Sequence, residues 1–526
     1  MRKWPMSGWV LTVLLAALPL SAAAQQGKQA EAPTAAKEAQ TAKAPQERAE
    51  VSHATVTING QTIHYTATAG TLLLYNDKQE PTASVFYIAY TKDGVADPAT
   101  RPVMFAYNGG PGGASALVDI GGFGPRRIDF PKPGDFAAYA PPYRLVDNGD
   151  SILDATDLVF VDAVGTGYSR ILQAGNPKMF YGISEDGATF AQFIERYLKH
   201  FHRWNSPKFL LGESYGTTRN AVLAYDLVND GVYLNGVVMC STVLNFATSS
   251  FGNDLGYETY LPSYAAAAWY HHRVTPQPAS LETFVEQARK FAAGPYATAL
   301  FAGDTLPEMQ EKAIADQLQH FTGVPADLWM KSHLRISLGM FMRRLMGPEG
   351  PEIGRYDSRF TGPELEPLMP VPGDGSGEPS SNAVMGAVTA AFNHYLSQTL
   401  HYTSKRLYAQ LSFEVNRQWS LKYQPPLSAL HGGFGSAPNV APALAVAMNN
   451  DPAMHVLFNN GYYDMATPFF ATEYTVAHMP VAPSERSHIE FKYYPVGHML
   501  YINPEALPAL HKNIDAFIAA SAPKAQ

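Results

Sequence analysis

The sequence predicts an α/β protein: a mostly parallel central sheet, an antiparallel lead-in before it, and a largely helical insertion ahead of the last strands. Three observations carry this reading. Apolar runs (PVMFAY, DLVFVDAV, KFLLGES, LNGVVMCSTV) alternate with stretches of helical spacing at 184–202 and 217–229, the pattern of βαβ units with buried parallel strands. Before them, Val51 to Tyr90 alternates apolar and polar residues as hairpins do. After Val243 the rhythm stops until HVLFNNGYYD and IEFKYYPVGH resume it, so the intervening chain is an insertion.

Taken in order, the chain opens with Arg2 and Lys3, an apolar run from Trp9 to Leu20, and the small residues Ser21 to Ala24. This predicts a secretory signal over 1–24, cleaved after Ala24; the apolar run is shorter than the roughly 20 residues a spanning helix needs. Residues 25–50, rich in Ala, Gln, Lys and Glu and holding Pro33 and Pro45, read as a disordered linker. The first part of the sheet domain is expected over 51–244, with hairpin turns at Asn59-Gly60, at Ala69-Gly70 and around Asp77. The insertion spans 245–450; its aromatics, among them Trp269, Tyr270 and Trp329, read as core, and Gly/Pro stretches break it at 347–351 and 370–379. The second part of the sheet domain, 451–526, ends in a helix from Pro504 to about Ala519, with Pro504 in its first turn.

With 46% hydrophobic residues a large core is available, and a net charge of −8 leaves no basic stripe for a nucleic-acid partner. No later segment has the unbroken apolar length of a membrane span. Cys240 is the only cysteine, which excludes an intramolecular disulfide, and its setting in VVMCSTV is that of a packing residue.

The chemistry is announced by Gly212-Glu213-Ser214-Tyr215-Gly216, where an apolar run stops and helical spacing begins. A serine on such a strand-to-helix turn is presented at the top of a sheet, with the Tyr215 N–H beside it as an oxyanion donor; this is the nucleophile turn of the α/β-hydrolase fold. The serine needs a base, and the base an orienting acid, which in this fold follow in the order acid, then histidine, each after a later strand. Asp464, just past VLFNNGYY, and His498, just past IEFKYYPVG, meet that order. Asp451 precedes its strand and Asp162 precedes the serine, so Asp162 reads as a loop organiser; His488 precedes the last strand and His511 falls inside the closing helix. Neither these nor the pair His271 and His272 has zinc-site spacing, and no metal or other cofactor is expected. The loop Asn108-Gly109-Gly110-Pro111-Gly112-Gly113 can bring a second backbone N–H to the reacting carbonyl; it lacks the register of a nucleotide-binding loop.

Five motifs in order, YNGGPGGAS, DLVFVDAVGTGYSR, GESYG, GYYDMATP and VGHMLYINPEAL, together resemble the serine carboxypeptidase family, peptidase family S10, in a bacterial-type member. The resemblance implies removal of C-terminal residues from peptides through an acyl-enzyme, and a helical cap over the site. It makes Ser214, Asp464 and His498 the triad and Gly110 and Tyr215 the oxyanion donors, with Asn108, Gly109 and Glu213 holding the terminal carboxylate of the substrate. A buried carboxyl at Glu213 would have its pKa raised by desolvation and would hold another carboxylate while one of the two is protonated, which predicts an acidic preference. The plainer role for Glu213 is to favour the start of the following helix.

The sequence departs from the family pattern at a second glutamate, which falls on Gly122 with no evident substitute in Asp119, at a cysteine replaced by Gly113, and in a loop at 162–165 that is one residue short. Peptides with a free C-terminus are the expected partners and the periplasm or extracellular space the expected location, with oligomeric state open. An acyltransferase or esterase on the same scaffold is the nearest alternative, and a secreted binding protein without activity the alternative of another class.

Overall fold

The computed structural model describes residues 45–133, 136, 139–363, 378–426 and 437–522. The expected signal and the linker up to Ala44 lie outside these residues, as does most of the 370–379 stretch.

The lead-in forms as strands β1 (Arg48–Ile58), β2 (Gln61–Tyr75) and β3 (Pro81–Lys92), paired antiparallel. Asn59 and Gly60, at φ 51° and 76°, make the two-residue turn expected between the first two. The turn expected at Ala69-Gly70 does not form. Gly70 lies inside β2, opposite Ala49 and Tyr87, and a Cβ there would stand 2.9 Å from the Arg48 carbonyl and 3.0 Å from the Tyr87 hydroxyl. The glycine admits a close neighbour; it does not bend the chain.

The runs read as buried strands become β4 (Val103–Tyr107), β5 (Asp157–Val161), β6 (Lys208–Glu213), β7 (Gly236–Cys240), β8 (His455–Gly461) and β9 (Ile489–Tyr494). Their order across the sheet is β1-β2-β3-β5-β4-β6-β7-β8-β9, parallel from β5 onward, with Arg170–Ile171 also pairing on β3. The chain runs from β4 outward to β5, then returns to the far side of β4 to place β6. The carboxyl ends of β4 and β6 therefore flank the crevice where parallel sheets bind ligands.

Helices α1 (Ile183–His200) and α2 (Tyr215–Asn229) precede and follow β6; α3 (Asp254–Tyr270), α4 (Leu281–Phe291), α5 (Glu308–Thr322) and α6 (Pro379–Gln398) come after β7; α7 (Ala441–Asn450), α8 (Phe469–Ala477) and α9 (Leu507–Ser521) lie near the last strands. The last starts at Leu507 with Pro508 in its first turn, so Pro504 lies before the helix.

Strand residues alternate between two cores. Val103, Phe105 and Tyr107 of β4 join α1, α2 and α7 on one face, while Met104 and Ala106 join α6 and α9 on the other. Residues 245–450 are thus divided: α3, α4 and α5 pack around their own core, with Trp329 buried in it, whereas α6 and α7 cover the sheet.

Candidate active site

Register brings the first residues together. Tyr107 pairs with Gly212, so the chain leaving β4 at Asn108 runs beside Glu213 at the end of β6. Ser214 follows at φ 60° and ψ −128°, a strained conformation for a residue with a side chain, and Tyr215 opens α2 with an N–H that has no acceptor within its helix. The glycine loop is pressed against this turn: a Cβ on Gly109 would run into the Tyr215 N and come within 2.7 Å of the Gly216 N and the Glu213 carbonyl. Gly110 follows at φ 113°, a backbone open to glycine.

From the other side, the ends of β8 and β9 deliver Asp464 and His498, both buried. His498 Nδ1 lies 2.8 Å from Asp464 Oδ2. The carboxylate is held by N–H donations to Oδ1 from Ala466 (2.7 Å) and Thr467 (2.9 Å), and by the Thr467 hydroxyl to Oδ2 at 2.6 Å. The His498 backbone is fixed at both of its polar groups: its N–H donates to the Tyr356 carbonyl and its carbonyl accepts from the Ser241 hydroxyl, each at 2.6 Å. Tyr356 belongs to the inserted chain. Around it the Met465 N–H donates to the Arg355 carbonyl and the Ser358 N–H to the Tyr463 carbonyl, so this segment is stitched to both loops that deliver Asp464 and His498.

The remaining imidazole nitrogen, Nε2, faces Glu213 Oε1 at 3.5 Å. Burial alone would lower the pKa of His498; the carboxylates of Asp464 and then Glu213 outweigh it, and the pKa is raised. Glu213 is raised as well, by burial above all, against the opposing charge of His498 and hydrogen bonds from Asn108 and the Gly109 N–H. Asn108 Nδ2 donates to Glu213 Oε2 at 2.8 Å, and its amide is oriented by the Val118 N–H, which donates to Oδ1 at 3.0 Å. Beneath the loop the buried Arg219 donates to the Asn108 carbonyl (3.0 Å) and to Asp186 (2.7 Å).

A profile of the serine carboxypeptidase family matches residues 61–331, just over half of the sequence. The chain belongs to the serine carboxypeptidase family. It is accordingly a serine-type hydrolase. No curated protein matches the sequence. Among solved structures, a prohormone-processing carboxypeptidase from Saccharomyces cerevisiae, Kex1, superposes with a TM-score of 0.54 at 15% identity, covering 87% of this chain and 92% of that one; the likeness is one of fold. A proline iminopeptidase from Mycobacterium smegmatis also matches, at a TM-score of 0.35 and 13% identity, with 86% of this chain and 98% of that one covered.

The resemblance to serine carboxypeptidases implies a second glutamate where this chain has Gly122. No side chain fits there: a Cβ would stand 2.6 Å from both the Tyr501 Cβ and its carbonyl. Asp119, although buried, accepts from the Tyr90 hydroxyl at 3.1 Å. The residue that does reach the pair is Tyr501, whose hydroxyl takes a second hydrogen bond from Asn108 Nδ2 at 3.2 Å.

The rival residues lie in other roles. Asp162 Oδ1 accepts from the Ser115 N–H (2.8 Å) and the Tyr408 hydroxyl (2.9 Å), which makes it the loop organiser expected. Asp451 accepts from the Leu234 N–H, at the amino ends of β7 and β8. Cys240 is buried at the end of β7, and burial pushes its thiol up. One group of side chains among the described residues could hold a cation, Asp154, His511 and Asp515. His511 Nε2 lies 3.2 and 3.0 Å from the two carboxylates, an ion-pair arrangement; burial opposes its charge, yet the carboxylates push its pKa up to about 10, which favours a proton over a metal.

Sequence reasoning named Asn108, Gly109, Gly110, Glu213, Ser214, Tyr215, Asp464 and His498, and the structure gathers them at the carboxyl ends of β4, β6, β8 and β9. It missed Thr467, Tyr501, Ser241, Tyr356 and Arg219. Only Arg219 carried a signal, as a cation within the otherwise apolar helical stretch TTRNAVLAY.

Proposed function

We propose that the protein releases the C-terminal residue of peptides, with Ser214 as nucleophile, His498 as general base and acid, and Asp464 as the group that orients it. The observation that carries this is the Glu213 carboxyl, buried beside the serine and held by Asn108. In this reading Ser214 Oγ attacks the last peptide carbonyl as its proton passes to His498 Nε2; the Asp464 contact to Nδ1 keeps the ring in the tautomer that can accept it. The developing oxyanion is met by the N–H groups of Gly110 and Tyr215. His498 then protonates the leaving amino group, and a water activated by the same imidazole releases the acyl chain. Gly109 and Glu213 hold the terminal carboxylate, with Asn108, whose two amide hydrogens go to Glu213 and Tyr501, keeping Glu213 in place, and with Glu213 protonated the two carboxyls share one proton.

One peptide offered with a free C-terminus and again as its amide tests the reading. The free form is expected to be cleaved far faster; similar rates would favour an esterase or acyltransferase. Ser214→Ala should lose turnover by several orders of magnitude, about a millionfold in the comparable serine-hydrolase knockout, together with labelling by a fluorophosphonate. Activity retained in that variant refutes the assignment.

We further propose that this bacterial-type member is exported to the periplasm or beyond, on the strength of the Arg2-Lys3 start, the short apolar run and the Ala22 to Ala24 site. Sequencing of the secreted protein should begin at Gln25; a mature protein that keeps Met1 overturns this.

A further inference from the structure

The pocket around Glu213 contains one carboxyl where the family pattern has two, and the vacancy has been filled from a different part of the chain. Tyr501, fully buried, lies along Gly121, Gly122 and Phe123; its ring centroid is 5.1 Å from that of Phe123, and its backbone and Cβ occupy the space a residue-122 side chain would need. The chain at residue 501, by its backbone and Cβ, therefore requires glycine at 122. The hydroxyl of Tyr501 ends at Asn108. The two hydrogens of Asn108 Nδ2 are then both used, one on Glu213 Oε2 at 2.8 Å and one on Tyr501 Oη at 3.2 Å. Having accepted from Asn108, the phenol keeps its own hydrogen, which burial above all holds in place.

We propose that Tyr501 is a positioning residue for the terminal carboxylate of the substrate, standing in for the missing second carboxyl by fixing the Asn108 amide that holds Glu213. This rests on the carboxypeptidase reading above. A second glutamate shares a proton with the first and titrates with it; a phenol buried as Tyr501 is, and held well above its ordinary range by that burial, does not titrate where the enzyme works. The pocket thereby becomes a single-carboxyl device. The titratable groups around Glu213 are His498, Asp464, Tyr356, Cys240 and Tyr501, and burial holds the Tyr356 and Tyr501 phenols and the Cys240 thiol above their ordinary values.

Tyr501→Phe tests this in the full-length protein with three substrates: a free-terminus peptide, its amide, and an ester with no carboxylate. Loss of the hydrogen bond that fixes the Asn108 amide is expected to raise KM for the free-terminus peptide on the order of tenfold, with ester kcat changed by about twofold at most. The alkaline limb of kcat/KM for the free peptide should move up by about half a pH unit, because an Asn108 amide no longer fixed by Tyr501 donates less well to ionised Glu213, which then keeps its proton longer. If KM and limb stay in place while the wild type still prefers the free terminus, the inference fails and the carboxypeptidase reading stands. If ester kcat and melting temperature fall along with peptide turnover and the limb does not move, Tyr501 is structural only and the inference is overturned. If the wild type itself does not distinguish peptide from amide, the carboxypeptidase reading fails first. Should Tyr501→Phe not fold, replacing Tyr501 by a difluorinated tyrosine nearly keeps the shape and weakens the acceptor; the limb should then again move up, and an unmoved limb overturns the proposal.

Discussion

His498 stands between two carboxyls, Asp464 at 2.8 Å from Nδ1 and Glu213 at 3.5 Å from Nε2, so Glu213 and His498 titrate as a pair. Three protonation states matter. With both protonated the base is blocked; with both deprotonated Glu213 repels a terminal carboxylate; between them, one proton resides on Glu213 or on His498, and productive binding needs it on Glu213. Burial raises Glu213 and so favours that placement, while the Asp464 charge on His498 opposes it. Rising pH thus takes one proton from the pair, which opens the productive state, and then the second, which closes it. For free-terminus peptides kcat/KM should trace a bell on the acid side of neutrality, whereas an ester lacking the carboxylate should show only the ascending limb. Measuring both profiles checks this, and coincident descending limbs would remove Glu213 from carboxylate recognition. At this scale the sequence was readable wherever chain order constrains chemistry: Ser214, Asp464 and His498 are named by position after a strand. Thr467 was not, because a hydroxyl has no meaning until the fold sets it 2.6 Å from Asp464 Oδ2.

Elements carry the site through a buried cation. Arg219 on α2 pairs with Asp186 on α1, packs its guanidinium 4.2 Å from the Phe190 ring centroid, and reaches the Asn108 carbonyl, so two helices and the glycine loop meet at one side chain. Arg219→Met leaves Asp186 buried without a partner and should cost about 3–5 kcal/mol in denaturant unfolding. Adding Asp186→Leu removes the stranded charge and should recover most of that loss. Activity should stay low in both, since the Asn108 carbonyl has lost its donor. Full activity in the stable double variant would show that Arg219 serves packing alone. The same scale shows why strands were easier to place than their interruptions. A buried strand writes its apolar run into the sequence, but the glycine at 70 reads alike whether it turns the chain or admits the Arg48 carbonyl and the Tyr87 hydroxyl. The insertion hid its division for a similar reason: α6 and α7 are apolar enough for any core, and only the sheet shows that they belong to it and not with α3 to α5.

Across the whole molecule, burial has been imposed on many acids, and this sets how stability follows pH. Burial raises Asp119, Asp186 and Glu213, and pushes Asp162 and Asp226 up to about 6. A carboxyl raised in the folded state binds more protons there than in the unfolded chain, so its contribution declines as pH climbs from the unfolded value through the folded one. His511 acts in the same direction over a higher window: burial opposes its proton but Asp154 and Asp515 hold it up to about 10, and the ion pair's contribution, complete below the unfolded histidine value, is lost as pH approaches that point. Groups that oppose the trend include His271 and His455, both lowered by burial, whose contribution is regained as pH rises from the depressed folded value to the ordinary histidine one. On the far acid side Asp154 reverses it: burial would raise this carboxyl, but His511 lowers it, and its stabilisation disappears once the pH falls below its depressed value. The fold should therefore be most stable at mildly acidic pH, with a thermal midpoint near pH 5 above that near pH 8. Calorimetry across that range checks it, and Asp162→Asn should flatten the slope, since its amide removes one of the buried carboxyls that charge as pH rises. A midpoint that climbs steadily to pH 8 would mean that the buried acids are paired well enough to ionise without cost.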